Sequence, residues 1–195
     1  MSSLANMMLE MMGNGGLQQL SSQLGADEES TQKAVGAALP LLLSALGKNA
    51  TSPDGAQALL NALQKDHDGS ALNDVAGLLS QGATSEEGAA ILRHVLGDKR
   101  GIVEQGLAAT TGLETDRTGQ LLNMLAPLVL GGLGKTQREQ GLDAAGIASL
   151  LSGEREAAQS QLGGLAQLLD MDGDGDVMDD VVNLGSRLLG GFFGR

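Results

Sequence analysis

Ala34-Val35-Gly36-Ala37-Ala38-Leu39-Pro40-Leu41-Leu42-Leu43-Ser44-Ala45-Leu46-Gly47-Lys48 is an apolar run with a proline at its centre, and the chain writes it twice. Leu121-Leu122-Asn123-Met124-Leu125-Ala126-Pro127-Leu128-Val129-Leu130-Gly131-Gly132-Leu133-Gly134-Lys135 repeats it at a constant offset of 87 residues. Pro40 falls on Pro127, Leu41 on Leu128, Leu43 on Leu130 and Leu46-Gly47-Lys48 on Leu133-Gly134-Lys135. The match extends outward to Gly25 and Gly112, Thr31 and Thr118, and Ala58 and Ala145. A shared proline inside an apolar run rarely recurs by chance, so the pattern reads as an internal duplication. No run alternates at period two for the length of a strand. The expectation is an all-α fold, a multi-helical bundle of about ten short helices in two related halves, with the repeated helices packed together at its centre.

The flanking signals divide the rest of the chain. Leu4, Met7, Met8, Met11 and Met12 form one helical stripe, which reads as packing against the domain, although a methionine-rich face also suits docking. Asn14-Gly15-Gly16 is expected to break that helix, with a short helix over 17–24 closed by Gly25. Asp27-Glu28-Glu29 places acid at the positive end of the repeated helix, while Pro40 should bend or split it. Ser52-Pro53 is a cap followed by a proline that opens a helix to about Gln64, and Thr84-Ser85-Glu86-Glu87 fits a capping box before a helix ended by Gly97. Residues 102–111 and 114–133 repeat the short-then-long arrangement of 17–47, and 141–152 echo 54–65. The expected units are a Met-rich helix over 1–16, helical repeats over 17–97 and 98–169, and an Asp-rich loop with a last amphipathic helix over 170–195.

Composition narrows the function classes. With two Phe, no Trp and no Tyr, the core must be built from Leu, Ala, Val and Met. A formal charge of −12 argues against nucleic acid and anionic membrane surfaces, and the lack of aromatic platforms argues against single-strand stacking. Zero Cys removes disulfides and thiolate sites. No apolar run approaches the roughly 20 residues of a membrane span, and the N-terminus carries no basic region or cleavage pattern of a secretory signal. The default expectation is therefore cytoplasmic.

One constellation carries chemistry. Asp170-Met171-Asp172-Gly173-Asp174-Gly175-Asp176-Val177-Met178-Asp179-Asp180 holds six carboxylates in eleven residues. Asp at loop positions 1, 3 and 5, Gly at 6 and an aliphatic at 8 fit a calcium loop of EF-hand or dockerin type. Alternating Asp wrap oxygens around the ion and Gly permits the sharp turn. Asp170, Asp172, Asp174, Asp176 (through its carbonyl) and Asp180 are the expected ligands of Ca²⁺. Position 12, where a bidentate Glu belongs, is Val181, so Asp180 or Asp179 must close the site. The competing reading is a helix cap built from Asp176, Asp179 and Asp180. An earlier loop supplies a comparison: Asp66, Asp68, Gly69, Ser70, Asn73, Asp74 and Val75 align with Asp172, Asp174, Gly175, Asp176, Asp179, Asp180 and Val181. Its first position is Gln64, and Ser70 suits a cap, so it reads as the same scaffold without a full ligand set. Calcium in the second loop would imply export without a cleaved signal, because bacterial cytosol holds little of the free ion.

The repeated apolar helix, His67-Asp68-Gly69-Ser70, the run from Gly88-Ala89-Ala90-Ile91-Leu92 to Arg93-His94-Val95-Leu96-Gly97, and the Asp-rich loop before a Gly/Phe end together resemble the bacterial YidB-like family. The likeness covers most of the chain. It implies a small multi-helical bacterial domain and, since that family is uncharacterised, no activity.

Other motifs dissolve on inspection. Gly131-Gly132-Leu133-Gly134-Lys135-Thr136 ends like a phosphate loop, but Val129 stands where the first glycine is required and no strand precedes it. Its duplicate, Leu46-Gly47-Lys48-Asn49, makes both read as helix C-caps. His67 and His94 belong to no catalytic arrangement and read as structural or surface residues, and Glu86, Glu87, Glu154 and Glu156 read as ordinary surface acid. The expectation is a non-enzymatic protein whose calcium-held loop fixes the start of the helix at 181–192, bearing Val181, Leu184, Leu188 and Phe192, and so presents its apolar face to a protein partner. The alternative is a homo-oligomeric, self-assembling protein that uses the apolar helices at both ends.

Overall fold

The computed structural model describes residues 3–82 and 86–161. Among these it contains eight α-helices, two short 3-10 segments and no strand. The helices are α1 (Leu4–Leu24), α2 (Glu28–Asn49), α3 (Pro53–Lys65), α4 (Val75–Gly82), α5 (Glu86–Leu96), α6 (Arg100–Thr111), α7 (Thr115–Gln140) and α8 (Ala144–Gln161), with 3-10 turns at Ser70–Asp74 and Gly97–Lys99. The all-α expectation holds. Not all of the helices are short, however: α2 has 22 residues and α7 has 26.

The proline-centred helices are the middle of the molecule, and they are not equivalent. From Met124 to Gly134 every residue of α7 is buried. A helix that is apolar all round belongs inside, and α7 packs against α1, α2, α3, α4, α5 and α6. The other proline-centred helix, α2, touches α7 with one face and leaves Ala37, Leu41 and Ser44 only partly buried. α8 covers α2 and α3.

Helix boundaries recur at the sequence offset. Glu28 and Thr115 begin α2 and α7, and Gly25 (φ 58°) and Gly112 (φ 81°) end the helices before them. Thr31 and Thr118 are both fully buried, and each hydroxyl donates back to a carbonyl four residues earlier, to Asp27 at 2.8 Å and Glu114 at 3.0 Å. The local chemistry differs only in detail: Asp27 caps α2 by accepting Ser30 N–H at 2.8 Å, whereas Glu114 pairs with Arg117 at 3.1 Å.

Three local expectations are corrected. Pro40 and Pro127 do not split their helices; α2 and α7 run through them. The break expected at Asn14-Gly15-Gly16 sits at Gly13 (φ 53°, ψ −170°), after which the helix resumes to Leu24. Gly47 and Gly134 are not C-caps: α2 runs on to Asn49 and is capped by Ala50, and α7 runs on to Gln140 and is capped by a left-handed Gly141. Gly134 is glycine because the backbone carbonyl of His67 lies where a Cβ would stand, and Gly88 is glycine because the carbonyl of Asn123 does the same. These are close backbone approaches, which fasten the loop after α3 and the first turn of α5 onto α7.

The Met-rich stripe is core, as its periodicity predicts. Leu4, Met8 and Met12 are buried, and the Met8 methyl sits over Gly132 of α7, while Met7 is 42 % exposed. No helix among the described residues is long and apolar enough to cross a membrane.

Candidate functional site: a groove between two antiparallel helices

α3 and α5 do not touch along their full length, and between them lies a groove of about 680 Å³. One wall is the stripe Gly55, Ala58, Leu59 and Ala62, at the i, i+3, i+4, i+7 spacing of a single helix face. The other is Ala90, Ile91, His94 and Val95, which α5 turns outward because Gly88, Leu92 and Leu96 are buried behind it. Leu130 of α7 and Leu46 of α2 form the floor.

The ends are defined by hydrogen bonds. At one end Asn49 donates from Nδ2 to the carbonyl of Val95 at 3.1 Å, and the Asn49 carbonyl abuts Gly55 at the start of α3. At the other, His67 lies just past α3, held by its N–H to the Ala62 carbonyl at 3.2 Å and by its own carbonyl against Gly134. Its Nδ1 is 3.7 Å from the Glu87 carboxylate in the first turn of α5, and its side chain is 13 % exposed. The start of α3 therefore meets the end of α5, and the two walls run antiparallel.

Both histidines of the chain thus line one groove, which their positions in sequence do not suggest. Separate signals are present: the small-residue stripe of α3 and the Ile91/Val95 pair of α5. What is absent is any sign that the two face each other. The lining offers apolar surface, the Asn49 side chain and two imidazoles.

The expected calcium ligands Asp170, Asp172, Asp174, Asp176 and Asp180 lie outside the described residues, as does the apolar stripe at 181–192. The related loop after α3 is described. Asp68 accepts the Ser70 N–H at 2.9 Å and pairs with Arg138 at 3.1 Å. Hydrogen bonds from Ser70, helped by the Arg138 guanidinium, hold the Asp68 carboxyl below the usual carboxylate range. Asp74 accepts the Gly77 N–H at 2.8 Å, so it, rather than Ser70, caps α4. No three His or acidic side chains among the described residues converge on an ion position. A smaller hollow of about 410 Å³ beside this loop is lined by Lys135, Arg138 and Glu139, but the Asp68–Arg138 pair and the 4.0 Å Lys135–Glu139 pair neutralise its charge.

Glu154 is not ordinary surface acid. Its carboxylate accepts the Leu4 N–H at 2.7 Å and the Ala5 N–H at 3.4 Å, so that α8 caps α1. The signal for this lies in α1 itself, whose first turn contains no acidic residue to face its free N–H groups.

An all-helical body with a preformed apolar groove is the class that these observations define. The chain belongs to a family of bacterial proteins of unknown function, DUF937, whose match spans residues 6–136. That span includes α2, α3, α5 and nearly all of α7, hence both walls and the floor of the groove. No curated protein and no solved structure matches the chain.

Proposed function

We propose that this is a non-enzymatic interaction protein whose α3/α5 groove receives an apolar helical segment. The observation that carries the reading is the wall Gly55, Ala58 and Ala62, whose small side chains admit a helix backbone close to Leu59, Ile91 and Val95. Helix-in-groove recognition uses anchors at i, i+3, i+4 and i+7 seated in a cleft of this kind.

The second part of the reading is the Asp-rich loop at 170–180. In the first loop Asp68 and Asp74 are held by backbone N–H groups and Arg138, and that loop has no counterparts of Asp170 and Asp176 in its carboxylate set. The additional carboxylates would repel one another unless a cation balanced them, and many oxygens in a short loop favour Ca²⁺ over Mg²⁺. The ion would set the start of the segment at 181–192. Self-assembly through the N-terminal stripe is less well supported, since Leu4, Met8 and Met12 are buried within the chain and Met7 alone is exposed. The likeness to YidB-like proteins adds no activity.

The test is binding of a designed Leu/Lys amphipathic helix peptide to full-length protein carrying Leu188→Asp and Phe192→Asp, which keeps the chain's own apolar stripe from competing. Binding is followed by the imidazole proton resonances of His67 and His94. Saturable shifts at His94, abolished by adding Ala58→Glu, support the groove; unchanged resonances at millimolar peptide reject it.

A further inference from the structure

Resting on that reading, we propose that protonation of His67 gates the groove. It takes an apolar helix while the imidazole is neutral, and gives it up when the imidazolium pairs with Glu87 across the groove's end. What carries this is one ring set between the ends of both walls.

His67 is fixed where it lies. Its N–H donates to the Ala62 carbonyl at 3.2 Å, and its own carbonyl occupies the place where a Cβ on Gly134 of α7 would stand. The Asn123 carbonyl fastens the start of α5 in the same way, against Gly88. Between these anchors the His67 side chain is 13 % exposed, with Nδ1 3.7 Å from a Glu87 carboxylate oxygen. That separation exceeds the roughly 2.7–3.2 Å of a direct hydrogen bond, so the two groups stand side by side without being joined.

Charge changes that relationship. Imidazole is the side chain that ordinarily gains or loses a proton between about pH 5 and 8. A neutral ring presents an apolar body to an occupant, and Glu87, 59 % exposed, keeps its hydration. In the imidazolium both nitrogens donate, and a carboxylate this close is drawn into a charge-assisted bond of about 2.8 Å. The pair then bridges α5 and the loop after α3 at the edge of the apolar lining. An apolar helix laid over it would strip water from both charges without offering them a partner.

The charges around the ring single out Glu87 as its counter-ion. Lys65 and Asp66 precede His67 with opposite signs, and Asp68 is held by Ser70 N–H and Arg138. Asp74, before α4, accepts Gly77 N–H. On α7, Lys135 faces Glu139 at 4.0 Å and Arg138 faces Asp68. Glu86 adds negative charge beside Glu87 in the first turn of α5. His94, next to Arg93 at the other end of α5, is exposed, so water can carry its charge.

Linkage makes the gate measurable from both sides. An occupant that prefers the neutral ring lowers the pH at which the ring takes its proton, by the same factor as protonation weakens binding. The experiment uses full-length Leu188→Asp/Phe192→Asp protein and an N-acetylated Leu/Lys peptide, whose own charge is constant from pH 5.5 to pH 8. Affinity should fall about tenfold over that range, and saturating peptide should move the His67 proton-resonance midpoint down by about one pH unit. His67→Gln should flatten the pH dependence. Glu87→Gln, at an exposed position, should move the loss of binding to lower pH. Equal affinity at the two pH values, or a fall that persists in full in His67→Gln, would overturn the gate and leave the groove as a helix site. A His67 midpoint unmoved by bound peptide would do the same without any variant at His67. No peptide binding at either pH would remove the groove reading itself.

Discussion

Glu154 reaches across 150 residues of sequence to accept the backbone N–H of Leu4 at 2.7 Å. This bond joins α8 to the first turn of α1, beside the Ser3 hydroxyl that accepts Asn6 N–H at 3.2 Å. Glu154→Ala leaves two amides of α1 without that partner and should lower stability by about 1–2 kcal/mol, measured by urea unfolding. Glu156→Ala, on an exposed neighbouring position, should change it by less than about 0.5 kcal/mol.

Glycine replacements separate close approach from mere flexibility. Gly36 sits inside α2 with open space where an alanine methyl would stand, so Gly36→Ala should stabilise by about 0.5–1 kcal/mol. Gly88→Ala meets the Asn123 carbonyl and must push α5 from α7, with a loss of about 1–3 kcal/mol. Thermal melts of the two variants should move in opposite directions.

The two proline-centred helices should respond unequally to truncation. Leu125 is fully buried in α7, and Leu125→Ala should cost about 2–5 kcal/mol. Leu41 of α2 is only partly buried, so Leu41→Ala should cost less than half as much in the same assay.

Acid should weaken the caps. Hydrogen bonds from Ser30 hold the Asp27 carboxyl below its ordinary value of 3.8, and those from Ser70, with Arg138, do the same for Asp68. A depressed folded-state value favours the native state above the unfolded-state value, and that contribution disappears as pH falls through the folded-state value. Stability should therefore decline below about pH 4. In Asp27→Asn/Asp68→Asn protein the decline over that window should be shallower.

Calorimetric titration of the full-length protein with Ca²⁺ should give heat that disappears in Asp172→Ala/Asp174→Ala, with Mg²⁺ giving little. No heat at millimolar Ca²⁺ would leave 170–180 as an acidic cap.

The helices are legible in the sequence where the determining chemistry is local. Ser52-Pro53 opens α3, Gly25 and Gly112 close α1 and α6, and the offset of 87 anticipates that Glu28 and Thr115 start equivalent helices. Sequence misleads where the partner is remote. Gly134 looks like a C-cap until the His67 carbonyl is set against it, and Glu154 looks like surface acid until Leu4 is brought to it. The groove belongs to the same category. Each wall is an ordinary helix face, and its meaning depends on α3 and α5 lying antiparallel across Leu130, which no short-range spacing encodes.

The central position of α7 has a consequence for the order in which the molecule assembles. Six helices pack on it, and all six are synthesised before it is complete at Gln140. At about 5–20 residues per second, α1 emerges several seconds before the helix that will bury Met8 exists. Until then α1 has only α2 and α4 to pack upon, and Met8 and Leu72 lack the Gly132 and Gly131 surface that they later cover, so α7 closes a core whose outer layers precede it.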